Sequence, residues 1–282
     1  NSAVRLTDTM IRRVGPRAAD ERSGRALSVQ NGGTLTVDRV LAVDLFEHGV
    51  VVDGASSELR GNDLVLRRIE SDLGLGKFGG GITLQGESTM VLERLEIGSV
   101  REAAIILGQS VSATLTDLHV HDVSPRVLDG TAGRGVSVQS GSTLTLTRAK
   151  VERVIEFGLA AIGAGTTISA TDLVVTEVTP QVCDGPLCMA APGGHGIGSY
   201  WGAQVTAMRF AVSNVSLCGV QIADEATMSL TDGEVRGAPI GACLQSDAQD
   251  VMDLQQRVHY VDNGSNLETT TLPVPAALGG VE

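Results

Sequence analysis

Along this chain apolar and polar residues alternate in short runs, and the runs themselves recur. Val136 and Val138 are followed by Leu144 and Leu146, then by Val151 and Val154, with polar or small residues between them. A period of two turns one face of an extended strand toward a core and the other toward water, so each run predicts a half-buried strand. The segment RGVSVQSGSTLTLTRAKVERVIE from Arg134 aligns without a gap on RALSVQNGGTLTVDRVLAVDLFE from Arg25, which sets a basic unit of 23 residues. Continuing that register starts coils at Arg25, His48, Gly80, Ala103, Arg134, Phe157, His195, Cys218 and Gly241.

Each coil predicts three short strands. The first carries pairs such as Leu27 and Val29, Val50 and Val52, or Ile82 and Leu84. The second carries Leu35 and Val37, Met90 and Leu92, or Leu144 and Leu146. In the third the apolar spacing widens from two to three, as in Ala42 and Leu45 or Val120 and Val123, which points to a bend. The second residue of each coil is never larger than Ala: Ala26, Gly49, Gly81, Ala104, Gly135, Gly158, Gly196, Gly219 and Ala242. A tight place therefore recurs every turn. A single turn of this kind cannot bury its apolar face, so stacked turns share one core.

Long and short coils alternate, and the extra residues fall at one corner, in VGPRAADERSG, SDLGLGKFGG, SPRVLDGTAG and TPQVCDGPLCMAAPGG. The turn from Cys218 lacks an insertion where the register predicts one. A column of charges follows the same two-turn rhythm: Asp8, Arg39, Asp63, Arg94, Asp117, Arg148, Asp172, Arg209 and Asp232. Stacked at one strand spacing, each Asp is expected between two Arg. A one-turn slip would then oppose like charges, so the ladder favours one register.

Coil length and the GVSVQSGSTLTLT pattern resemble the right-handed parallel β-helix proteins of the pectin-lyase-like superfamily, over residues 1 to about 245. The resemblance implies an all-β solenoid of nine to ten coils, and right-handed winding agrees with the general crossover rule. The apolar pattern decays after Gln245, so residues 246–282 are expected to form a C-terminal cap and an extended tail running through LPVPAALGG. For polygalacturonase chemistry the resemblance would require an Asn-Thr-Asp element, an Asp-Asp pair and an Arg-Ile-Lys. The chain has none of them, and only Gly194-His195-Gly196 remains. The Ca2+-binding carboxylates and Arg-x-Pro-x-x-Arg element of pectate lyases are missing too.

Composition narrows the partners. With 33 acidic against 21 basic residues and a net charge of −12, the chain repels phosphate backbones, so nucleic acid is not an expected partner. No apolar run approaches the ~18 residues of a membrane span. Cys183 and Cys188 are spaced for a small loop disulfide and Cys218 and Cys243 form a second candidate pair, which together place the chain outside the cell or at its surface. The start at NSAVRL, without an initiator Met or a leader, is expected of a processed product or an excised piece.

Candidate ligand-binding residues are Tyr200 and Trp201, adjacent aromatics read as a turn beneath the longest loop, with His195 beside them and also the weak catalytic candidate. His119 and His121 flank an inward Val120 and so share an outer face, and DNGSNLE at 262–268 offers a few oxygens. Neither makes a strong metal site, and no metal or cofactor is expected. The favoured reading is a non-catalytic secreted or cell-surface module that binds a polysaccharide or a surface protein through its insertion-loop edge. The alternative is a polysaccharide lyase or glycosidase working near His195 and Trp201. A third reading is an ice-binding face on outward Thr and Ser such as Thr143, Thr145 and Thr147, interrupted by Arg60, Val91, Glu93, Gln204 and Met208.

Overall fold

A computed structural model describes residues 2–16, 24–182 and 193–279. About two thirds of them belong to two parallel sheets of ten strands, stacked so that consecutive turns are neighbours in both. Long strands make one sheet: Ala3–Val14, Thr34–Phe46, Glu58–Glu70, Thr89–Arg101, Ser112–Ser124, Thr143–Ile155, Thr167–Thr179, Gln204–Val215, Thr227–Arg236 and Gln256–Val261. Short strands make the other: Leu27–Gln30, His48–Asp53, Gly80–Gln85, Ala103–Leu107, Arg134–Gln139, Phe157–Ile162, His195–Tyr200, Cys218–Ala223, Ile240–Gln245 and Ser265–Thr269. This is a parallel β-helix, as the repeat predicts.

Each turn holds two strands rather than three. The second and third expected runs join into one long strand that is folded twice by residues in the left-handed region. The first fold falls on the charge column, where Asp8, Arg39, Asp63, Arg94 and every later member has φ between 48° and 58°. The second falls five residues on, at Arg13, Asp44, Arg68, Ser99, Asp122, Arg153, Glu177 and Asn214. One such residue turns the chain without a loop. It also uses up one position of the alternation, which is why the inward residues Leu35, Val37, Val40, Ala42 and Leu45 step by two and then by three. The widened spacing is the signature of these corners.

Val, Leu and Ile from both sheets form one continuous core, and residues such as Leu59, Leu64, Leu66, Ile69 and Ile82 have no exposed surface. Burying side chains of this size contributes roughly 1.5–3 kcal/mol each. The small-residue column lies where the short strands start. A Cβ on Gly81 would stand 2.5 Å from the carbonyl oxygen of Ala104 and 2.6 Å from Ile97 Cγ2, and one on Gly196 would stand 2.5 Å from the carbonyl of Gly219. Steric closeness between successive turns therefore sets this column. Near its end the register differs by one from the expected phase: Cys218 pairs with Ile240, so the coil begins there and Gly241 fills the tight place.

Beyond 245 the helix continues. A 3-10 turn, Val251–Leu254, inserts fully buried Leu254 into the core, and Gln256–Val261 and Ser265–Thr269 add the tenth strand to each sheet. These strands have a neighbour on one side only, so little apolar surface is required of them and the pattern fades. Residues 270–278 then cross the outer face of the short-strand sheet, where Val274 packs on Phe157 and Tyr200. Cys218 and Cys243 form a buried disulfide that fastens the turn of Cys218 to the next. The expected Cys183–Cys188 pair lies outside the described residues.

Candidate functional site

His195, Tyr200 and Trp201 do not converge. The insertion loop rejoins the helix at Gly193 and Gly194, His195 opens the short strand, Tyr200 closes it, and Trp201 stands in the following turn. That strand separates Gly194, where the loop rejoins, from Trp201 by roughly 16–20 Å. The aromatic pair thus lies at the opposite end of the short strand from that junction, and residues 183–192 of the loop lie outside the described residues.

His195 is 2% exposed, and burial alone lowers its pKa to about 4, so the ring is neutral near pH 7. Its Nδ1 has no hydrogen-bond partner. His48 holds the matching position two coils after the helix begins. Its Nδ1 lies 3.3 Å from Thr83 Oγ1, its ring centroid 5.1 Å from that of Phe78, and burial lowers its pKa to about 3. Neither imidazole reaches solvent, so the nomination of His195 as a surface ligand or catalytic group is corrected: it is a core histidine at a strand start.

Tyr200 has no exposed surface. It folds back over Gly198, where any Cβ would overlap the phenol ring, and donates to Gln221 Oε1 at 2.9 Å. Burial raises its pKa, and the Glu156 carboxylate adds to the effect. Its nomination as a ligand-binding residue is likewise corrected. Adjacent aromatics gave no hint of this, because the tail that covers Tyr200 comes more than seventy residues later. Trp201 remains 51% exposed on a left-handed turn residue with φ 58°.

At the other edge the insertion loops stack on one another. In the loop after Glu70, Asp72 accepts from Gly76 N through its carbonyl and from Leu75 N through Oδ1. In the loop after Ser124, Arg126 binds both oxygens of Asp129 at 2.8 Å. Leu128 N donates to Gly76 O at 2.8 Å, Val127 N to Ser71 Oγ at 3.4 Å, and Ala132 N to Gln181 Oε1 at 3.1 Å. These bonds hold outward a row of aliphatic side chains: Leu73, Leu75, Val127, Leu128 and Val182, all exposed.

A residue type absent from the sequence reading anchors these loops. Glu47, Glu102 and Glu156, all buried with φ between 58° and 67°, sit just before the short strands of alternate turns. The carbonyl of each accepts two N–H groups where the next insertion closes: Gly79 and Gly80 on Glu47, Gly133 and Arg134 on Glu102, Gly194 and His195 on Glu156. Their carboxylates are also engaged. Glu47 meets Arg25 at 2.7 Å, Glu102 takes Arg126 at 3.1 Å and the N–H of Phe78, and Glu156 takes Arg134 at 2.6 and 2.9 Å. Desolvation raises the Glu102 pKa in spite of Arg126. Leu217 stands where the next Glu would fall, and no insertion follows it. That correspondence was readable as FE, RE and IE before each short strand.

The charge ladder resolves into pairs. Every Arg reaches back to the Asp of the preceding turn: Arg39 to Asp8 at 2.6 Å, Arg94 to Asp63 at 2.6 Å, Arg148 to Asp117 at 2.6 Å, Arg209 to Asp172 at 2.7 Å. Arg257 continues the series by binding Asp232. The Arg of the turn before acts on each Asp only through space, as Arg39 does on Asp63. Each inner Asp thus lies between two Arg but hydrogen-bonds only that of the following turn, which turns its Nε and Nη2 edge to it, while Nη1 goes to the own-strand neighbours Asp38 on Arg39 and Glu93 on Arg94. All these Asp pKa values are lowered, first of all by the Arg hydrogen bond.

His119 and His121 do share an outer face, with ring centroids 4.7 Å apart, but carboxylates engage them. His119 Nε2 lies 2.9 Å from Glu152, and His121 lies 2.7 Å from Asp122 and 3.2 Å from Glu96. Among the described residues no group of three or more His, Cys, Asp or Glu is arranged to hold a metal ion. In DNGSNLE, Asp262 binds Arg236 and Asn263 bonds to the backbone of Ala238 and Val235. The Thr and Ser residues align in a three-by-three patch, from Ser112, Thr114 and Thr116 through Thr143, Thr145 and Thr147 to Thr167, Ser169 and Thr171.

No protein-family model matches the chain, and no curated protein matches it. Among solved structures it is similar to the A-module of a mannuronan C-5 epimerase from Azotobacter vinelandii. The identity is 11% and the TM-score 0.36, over 99% of this chain and 91% of that one. The fold assignment stands on the two sheets themselves.

Proposed function

We propose that this chain is a non-catalytic, exported β-helix module that binds a protein partner along the stacked insertion loops. The observation that carries the reading is the aliphatic row Leu73, Leu75, Val127, Leu128 and Val182, exposed on loops hydrogen-bonded to each other. Apolar side chains held outward by a rigid support favour association with another apolar surface. An aliphatic row without an aromatic ring suits a protein better than a sugar. The Cys218–Cys243 disulfide fits an oxidising compartment. The polysaccharide-processing reading is supported less well, because the groups it would use, His195 and Tyr200, are buried.

A glycan partner is a second reading, favoured by one observation: Trp201 is half exposed on a turn. Sugars commonly stack on such a ring. A photo-crosslinking amino acid placed at Val127, and separately at Trp201 and Thr145, distinguishes these readings on intact cells. A discrete protein adduct from position 127 alone is the expected result. Adducts only to glycan from position 201 would replace this reading with the second one.

A further inference from the structure

The C-terminal segment is bound to the outer face of the short-strand sheet in the manner of a peptide ligand. Gln245 Nε2 donates to Leu272 O at 2.7 Å. At the other end Gln139 makes a two-point bond to Leu278, accepting from its N–H at 2.9 Å and donating to its carbonyl at 2.5 Å. Between them Gln221, with no exposed surface, takes the Tyr200 hydroxyl on Oε1 and turns its amide nitrogen to Gln245 and to Pro273 O. Val274 fills the hollow between Phe157, Ile162 and Tyr200, and Pro275 is buried.

The spacing identifies the conformation this surface accepts. Gln139 and Gln245 occupy equivalent positions four turns apart, as the register runs through Ile162, Tyr200 and Ala223. Four strand spacings make about 19 Å, and the six steps from Leu272 to Leu278 must cover it at about 3.2 Å per residue. That is close to the rise of polyproline II, which advances ~3.1 Å per residue with three residues per turn. Leu272, Val274, Pro275 and Leu278 are the less exposed residues of the tail, and Leu272, Pro275 and Leu278 among them are three apart. Three residues of this helix advance about 9.3 Å and two turns of the solenoid about 9.6 Å, so the two periods match. The same column carries Gln30 and Gln85 at two-turn intervals beyond Gln139.

We infer that the glutamine column of the short-strand sheet is a recognition track for an extended, proline-containing polypeptide in the polyproline II conformation, and that residues 271–278 occupy it in cis. Glutamine amides supply the donor and acceptor pairs that such a helix lacks internally. The small residues Ala160 and Ala223 belong to the cluster on which Val274 packs, while Gly198 makes room for the Tyr200 ring beneath it. A segment of like chemistry binds in trans whenever the tail is withdrawn.

The test uses a fluorescein-labelled peptide TLPVPAALGG, the sequence of residues 271–280, with three proteins: the full chain, a chain ending at Thr270, and the shortened chain carrying Gln139→Ala. Anisotropy should show saturable binding to the shortened chain, at least tenfold weaker binding to the full chain, and at least a tenfold loss with Gln139→Ala. Replacing both prolines of the peptide by Gly should weaken binding by a similar factor. Absence of binding by a shortened chain that unfolds cooperatively would overturn the inference, as would equal binding by the full chain. If the shortened chain does not fold, Val274→Asp in the full chain takes its place. That variant should bind the peptide measurably, and failure to do so is the contrary result.

Discussion

Arg134 and Glu156 form a two-point ion pair, at 2.6 and 2.9 Å, between successive turns of the helix, and both side chains are at least 95% buried. The guanidinium carbon also lies 4.8 Å from the centroid of the Phe157 ring. Removing one partner leaves a charge without water or counter-ion, which costs about 3–5 kcal/mol. Glu156→Ala is therefore expected to shift the urea midpoint strongly. Asp117→Ala, at an exposed pair of the same geometry, should leave the midpoint within error. Paired urea titrations of the two variants check this contrast.

Two histidines set an acid limit on stability. Burial holds His195 at about 4 and His48 at about 3, both below the ordinary imidazole value. Between about pH 6.5 and those values the unfolded chain binds protons that the folded chain refuses, so stability falls as pH falls through this window. The loss is on the order of a few kcal/mol. The ladder aspartates act lower: their depressed pKa values contribute stability above the ordinary carboxylate pKa, and it is lost on further acidification. Urea midpoints measured at half-unit steps should show two stages of decline. His48→Gln with His195→Gln should flatten only the upper one.

The tight column predicts sensitivity to a single methyl group. A Cβ on Gly135 would run into the carbonyl of Gly158 and stand 2.6 Å from Val151 Cγ1. Gly135→Ala forces the turns apart locally and should cost roughly 1–3 kcal/mol. By contrast, Ala104 already sits in the column with no exposed surface, so Ala104→Gly opens no clash and should cost only one buried methyl group and chain entropy, about 1–2 kcal/mol. Differential scanning calorimetry of both variants checks these losses.

Cys218 and Cys243 are separated by 25 residues, and a link of that length stabilises by roughly 3 kcal/mol in the loop-entropy picture. Both sulfurs are buried, so reductant should act only after the end of the helix opens. Cys218→Ser with Cys243→Ser should raise hydrogen exchange first in residues 240–269, with the strands around Arg134 unaffected.

Much of this architecture was readable in the sequence because a stacked solenoid repeats one steric problem every turn. The glycine column and the step from two to three in Ala42 and Leu45 are direct records of close approach and of corners. Less readable was what the ladder residues do. Arg has no preference for the left-handed region, so nothing in Arg39 or Arg94 announces a fold of the backbone, whereas their charge is plain. Tyr200 was misjudged for a different reason: its environment depends on Val274, which no local pattern connects to it. The corner glutamates were legible only in relation to the insertions, and Leu217 is the position that makes the relation visible.

The central claim is that the chain binds without turning over a polysaccharide. Incubation with polyuronates and neutral glycans, followed by measurement of new reducing ends and of 4,5-unsaturated uronates, tests it most directly. No turnover above a heat-unfolded control is the predicted result. Turnover that His195→Ala abolishes, in a variant that remains folded, would contradict the account.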